Sequence, residues 1–171
     1  TLVGTTAKAD IPLADNVRRY YFASVPHGGG SGGFLTSTSP IKGAVSCALP
    51  TNPAPVAPLR TALISRLVAW VTKGTPMQPS KYPTLADGTL VPNTNDAMGF
   101  PAIPGMPMAG GLQYPLIDYD LGPQFRYADQ SGVLTKLPTV KGTLPQLVVR
   151  VDADGNEVAG IKSPLVAGAL G

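Results

Sequence analysis

The sequence is short of the residues that most protein chemistry draws on. It holds one histidine (His27), one cysteine (Cys47), one tryptophan (Trp70) and one glutamate (Glu157). A single histidine argues against a histidine-based metal centre, which needs several nitrogen, sulfur or oxygen ligands. A single cysteine leaves three readings open: a small buried hydrophobe, a reactive thiol, or half of a disulfide to another chain. Charge is also scarce, with 13 Lys+Arg against 10 Asp+Glu and a net charge of +3. Without a basic cluster, that balance gives little support for nucleic-acid binding. The high pI of 9.1 mainly reflects the shortage of carboxylates. No apolar run approaches the roughly 20 residues that a membrane-spanning helix needs.

Glycine and proline are in excess instead, with 20 and 19 residues in a chain of 171. The length suggests one domain, and 43% apolar residues can supply a core, so disorder is not the default. An apolar, non-repetitive chain this rich in glycine and proline predicts long ordered loops laid over a rigid body. The chain opens at Thr1 with no methionine or signal-like segment, which predicts a processed or trimmed start.

The organising stretch is 17–33, VRRYYFASVPHGGGSGG. Residues 17–24 form a β-branched and aromatic run that predicts a buried strand. Pro26 ends it because proline has no N–H for the ladder. His27 is thereby left on a loop at the strand's carboxyl end, where open α/β sheets carry their chemistry. The glycines at 28, 29, 30, 32 and 33 let the backbone pack closely beneath it. Residues 58–73 predict a helix: Pro58 suits its first turn, and Leu59, Leu63, Leu67 and Trp70 make an apolar stripe. Lys73 complements the negative end of the helix dipole and Gly74 suits a left-handed cap. The stretch 74–145 contains eleven prolines and no helical period, with short extended pieces expected around 112–119. Residues 146–151 and 157–161 predict a terminal hairpin turning at Asp154-Gly155.

One helix and a few strands cannot bury one another's apolar faces in a layered domain of this length. The expected fold class is therefore α/β but incomplete on its own, with long Pro/Gly-rich loops and a terminal β-hairpin. The expected partner is an N-terminal half, lost or present as a separate chain.

His27 is the leading catalytic candidate, because an imidazole on a strand-end loop titrates near neutrality and serves as a general base. The competing reading is a polar loop residue bonded to backbone. Ser31 in GGSGG matches a nucleophile-elbow pattern, but no helix start follows it, so glycine composition explains the match better. The same run lacks the Lys-Ser/Thr ending of a phosphate loop. Asp152, Asp154 and Glu157 hint at a calcium loop, yet Gly155 comes too early for the sixth position, and a hairpin turn is the better account. Asp10 and Asp15 are candidates to orient His27, or simply residues of a solvated turn. A Cys47–His27 nucleophilic pair has no supporting signature. No cofactor is expected.

At VRRYYFASVPHGGG (17–30) the sequence resembles the C-terminal portion of a large group of bacterial alpha/beta-hydrolase domain-containing proteins. The resemblance continues through Cys47, Asn52-Pro53, LRTAL (59–63), WVTKG (70–74), PSKYP (79–83), DGTLV (87–91), FPAIPG (100–105) and VDADGNEVAGI (151–161). It implies that this chain is the C-terminal part of an alpha/beta-hydrolase domain spanning 1–171. It also implies that His27 is the base of a Ser-Asp/Glu-His triad in a serine-type carboxylic-ester hydrolase. In that chain order nucleophile and acid come before the histidine, so both would lie ahead of Thr1. The substrate implied is an ester, with Tyr82, Met98, Phe100, Met106 and Met108 bordering an apolar pocket. A structural bridge from Cys47 to a cysteine of the missing half, and a secreted or periplasmic setting, are further expectations. The alternative function is a non-catalytic structural or interaction subunit on the same scaffold.

Overall fold

The computed structural model describes residues 3–33, 49–107, 110–111 and 113–168. The expectations placed on Cys47, on Met108 and on the helix start after Ser31 lie outside these residues.

The run predicted as a strand is extended but only locally paired. Tyr20 bridges Lys81 and Phe22 bridges Ile161, both in parallel. The Tyr21 N–H donates to the Lys81 carbonyl at 3.0 Å, and the Ile161 N–H donates to the Tyr21 carbonyl at 2.7 Å. Residues 19–23 are thus the middle of three parallel segments. The ladder fails to lengthen for reasons written in its neighbours. Lys81 stands between Pro79 and Pro83, neither of which has an N–H to extend the pairing. On the other side Gly160 has φ 103° and Ser24 has φ 54°, so both strands leave the extended region at once.

Helix α1, Ala57–Lys73, coincides with the predicted 58–73 to within one residue. Pro58 falls at the second helical position, where its missing N–H costs nothing. Gly74 takes the left-handed cap at φ 68°, and its N–H reaches the Trp70 carbonyl at 3.0 Å. No residue of α1 is buried. Val68 and Val71 of its apolar side are 55% and 76% exposed.

The stretch 74–145 is more regular than its prolines suggest. It contains strand β1 (Leu90–Pro92), the short helix α2 (Asn95–Met98), and strands β2 (Leu116–Asp120), β3 (Phe125–Arg126), β4 (Ser131–Gly132) and β5 (Thr139–Leu144). The prolines mark ends rather than forbid strands: Pro115 precedes β2, while Pro138 and Pro145 bracket β5. Strands β2 and β5 pair antiparallel with an irregularity between Asp118 and Tyr119, and β3–β4 forms a small hairpin between them. Lys136 pairs with Asp120 across the base of this arm.

The predicted terminal hairpin is only partly formed. Strand β6 (Leu147–Val149) pairs antiparallel with β1, not with 157–161. Val151 bridges Glu157, after which Ile161 leaves to join Phe22. Asp152 opens the loop, because its Oδ1 accepts the N–H groups of Asp154 (3.1 Å) and Asn156 (2.9 Å). That widens the turn to five residues instead of the two-residue Asp-Gly turn expected. Partial burial pushes the Asp152 carboxyl up, but the Asn156 N–H and the Lys162 ammonium at 3.1 Å outweigh it and leave it below the usual range. Helix α3 (Pro164–Ala167) follows.

The main buried cluster is Leu90, Met98, Val148, Val149 and Val151. A groove of about 360 Å³ runs between α1 and residues 16–20, walled by Leu63, Leu67, Trp70 and Met77. The apolar faces anticipated from the sequence are present and stand open.

Candidate functional site

The loop bearing His27 is fastened at both ends and free at its apex. Pro26 and Gly29 close a turn through a 2.8 Å hydrogen bond, with His27 as its second residue. His27 is exposed, and among the described residues nothing bonds its ring.

At the near end, Ser24 is tied into a knot with Glu157. The Ser24 N–H donates to Glu157 Oε2 at 2.6 Å, and the Glu157 N–H donates to Ser24 Oγ at 2.8 Å. The hydroxyl of Tyr21 donates to Glu157 Oε1 at 2.6 Å. Both carboxylate oxygens are therefore committed to the strand that carries the loop. Asn52 completes the knot: its Nδ2 donates to the Ser24 carbonyl at 2.9 Å and its Oδ1 accepts from the Ala54 N–H at 2.8 Å. These contacts explain why Ser24 can be held at a positive φ, a conformation that is costly for a non-glycine residue.

At the far end, the Gly30 N–H donates to the Ala54 carbonyl at 2.8 Å and the Gly32 N–H to the Pro53 carbonyl at 2.9 Å. Gly30 lies so close that a Cβ would stand 2.2 Å from the Pro53 carbonyl carbon. Asn52-Pro53-Ala54 is thus the cradle of the histidine loop.

Tyr21 has its hydroxyl pKa raised, first by burial and then by the bond to Glu157 and its charge. The folded state holds this proton more tightly than the unfolded chain does. Below about pH 10 both states are protonated and the contribution is complete. Above that the unfolded chain ionises first, so stability falls as pH rises toward the folded value. We expect urea midpoints to drop above about pH 10 more steeply in the native chain than in Tyr21→Phe.

The other candidates are placed elsewhere. Asp10 accepts from the Leu85 and Ala86 N–H groups at 2.8 and 3.0 Å, so both its oxygens cap that turn instead of orienting His27. Asp15 contributes its carbonyl to Arg18. Ser31 is exposed, and its hydroxyl faces the Gly32 carbonyl at 3.5 Å. Asp152 and Asp154 form the turn described above. Of the residues expected to border an apolar pocket, Met98 and Phe100 line a cavity of about 480 Å³ beside the knot. Tyr82 instead lies under the Arg19 guanidinium at 4.9 Å, and Met106 is exposed.

Tyr21, Ser24, Asn52 and Glu157 form one unit that the sequence alone did not reveal. A signal existed: Glu157 is the chain's only glutamate, and Asn52-Pro53 belonged to the resemblance without a physical account.

A family model described as an alpha/beta hydrolase domain matches residues 2–171. The chain belongs to the alpha/beta hydrolase domain family. Comparison with curated proteins and with solved structures gives no match. An alpha/beta hydrolase domain carries its chemistry at the carboxyl ends of parallel strands. The His27 loop leaves the carboxyl end of the segment that is parallel-paired on both sides.

Proposed function

We propose that this chain is the histidine-bearing part of a serine-type carboxylic-ester hydrolase. One observation carries the reading: an imidazole that no described residue bonds, at the end of a parallel-paired segment, on a loop anchored at Ser24 and again at Gly30, in a chain of the hydrolase family. A base of this kind must be held in place yet keep its ring available, and the double anchoring supplies both.

In the proposed reaction, a serine from the remainder of the protein attacks the ester carbonyl carbon as His27 takes its proton. Collapse of the tetrahedral intermediate breaks the C–O bond, and His27 returns the proton to the leaving alcohol. Water then repeats the sequence to release the acid. The serine and the triad acid belong to an N-terminal half, which would also cover the open face of α1. A secreted or periplasmic setting is part of the same proposal.

The second reading, a non-catalytic subunit on the same scaffold, is favoured by the lack of a carboxylate against His27 among the described residues. A serine-reactive fluorophosphonate separates the two. The full-length protein is expected to be labelled on one serine, and the label to be lost or slowed at least tenfold in His27→Ala. An unlabelled full-length protein supports the subunit reading.

A further inference from the structure

The 480 Å³ cavity lies between the β1–β6 pair and the Glu157 knot. Its apolar lining includes Leu90, Leu147, Val149, Met98 and Phe100. Carboxamides dominate its polar lining: Asn52, Asn93, Gln113 and Asn156. Asn52 is spent on the histidine loop, and Asn93 Oδ1 accepts the Gly111 N–H at 3.0 Å. The side-chain amides of Gln113 and Asn156 bond nothing among the described residues. Each amide thus has donors and an acceptor that no described residue uses.

The charge pattern narrows the occupant further. Among the described residues no lysine or arginine lines the cavity, and the one carboxylate they bring to it, Glu157, has both oxygens engaged. An anion there would face a carboxylate and find no counter-charge among the described residues. An apolar floor with a few convergent neutral hydrogen-bonding groups is the usual make-up of a small-molecule site, and the volume lies in the usual range.

We propose that this cavity binds an uncharged organic group carrying hydroxyl or carbonyl oxygens, recognised by Gln113 and Asn156, and that it discriminates against anions. Its use for the neutral part of an ester substrate rests on the hydrolase reading; the binding itself does not.

The test uses two matched, non-hydrolysable probes with the full-length protein: diacetone alcohol, a neutral hydroxyketone, and levulinate, a ketone of similar size bearing a carboxylate. Binding is read by ligand-observed saturation-transfer NMR. Diacetone alcohol is expected to bind and levulinate to bind at least tenfold more weakly. Gln113→Trp, at an exposed rim position, is expected to weaken diacetone alcohol at least tenfold by filling the mouth. Asn156→Ala is expected to weaken it severalfold, and Val71→Ala, on the exposed side of α1, to leave it unchanged. Equal binding of the two probes, no binding of diacetone alcohol, or indifference to Gln113→Trp would overturn the site. If the binding pattern holds but no ester is hydrolysed, the hydrolase reading fails and the site stands. If esters are hydrolysed and Gln113→Trp changes neither binding nor kcat/KM, the site fails and the hydrolase reading stands.

Discussion

Replacing His27 by alanine in the full-length protein is expected to lower kcat/KM for a short-chain ester by roughly 10²–10⁴-fold, the range over which positioned general bases contribute. The unfolding midpoint should barely move. His27 is exposed and, among the described residues, unbonded, so its removal leaves no buried group unpaired and opens no cavity. The separation of the two effects is what marks a base. A residue that merely supported the loop would lower stability along with rate. Turnover by the alanine variant within a factor of two of the native protein would remove His27 from the reaction.

The second large effect is expected at a residue with no side chain at all. Gly30→Ala should cost about 1–3 kcal/mol, as overpacking does, and depress kcat/KM on the order of 10²-fold by shifting the loop. A Cβ at Gly30 would meet the Pro53 carbonyl carbon at 2.2 Å, its oxygen at 2.3 Å and the Ala54 nitrogen at 2.7 Å. All three are backbone atoms, so no rotamer change relieves the clash. The hydrogen bonds of Gly30 and Gly32 to the cradle must lengthen together. Gly28→Ala is the internal control, since a Cβ there meets nothing within 4 Å. Urea unfolding and ester turnover of the two variants, measured side by side, check this. Equal behaviour would mean that the cradle does not position the loop.

What could be read from the residues was what they specify locally. Helix α1 declares itself through an apolar stripe, a proline at the start and a capping glycine at the end, all within one window. The loop at His27 follows from an aromatic run halted by Pro26. The contacts that hold that loop were not legible, because Ser24 and Glu157 are 133 positions apart. No periodicity connects residues so distant. The terminal hairpin failed for a related reason. Asp154-Gly155 is a sound local signal, but Asp152 captures two of the turn's N–H groups, and β6 finds in β1 a partner that buries Val148 and Val149. Strand β2 overlaps the extended pieces expected around 112–119, whereas β5 was obscured by prolines that bound it without interrupting it.

Resemblance on separated short motifs implied the hydrolase family, and the family model covers nearly the whole chain. The esterase chemistry and the role of His27 remain the part that the two substitutions above address.

Trp70 gives the open side of α1 a practical meaning. The chain's one indole sits on the groove wall with the Arg18 guanidinium 5.0 Å from its ring centroid. Anything that seats in this groove changes the surroundings of the ring. The protein thus carries an intrinsic fluorophore, at the one place where its emission reports whether that face is wet or covered.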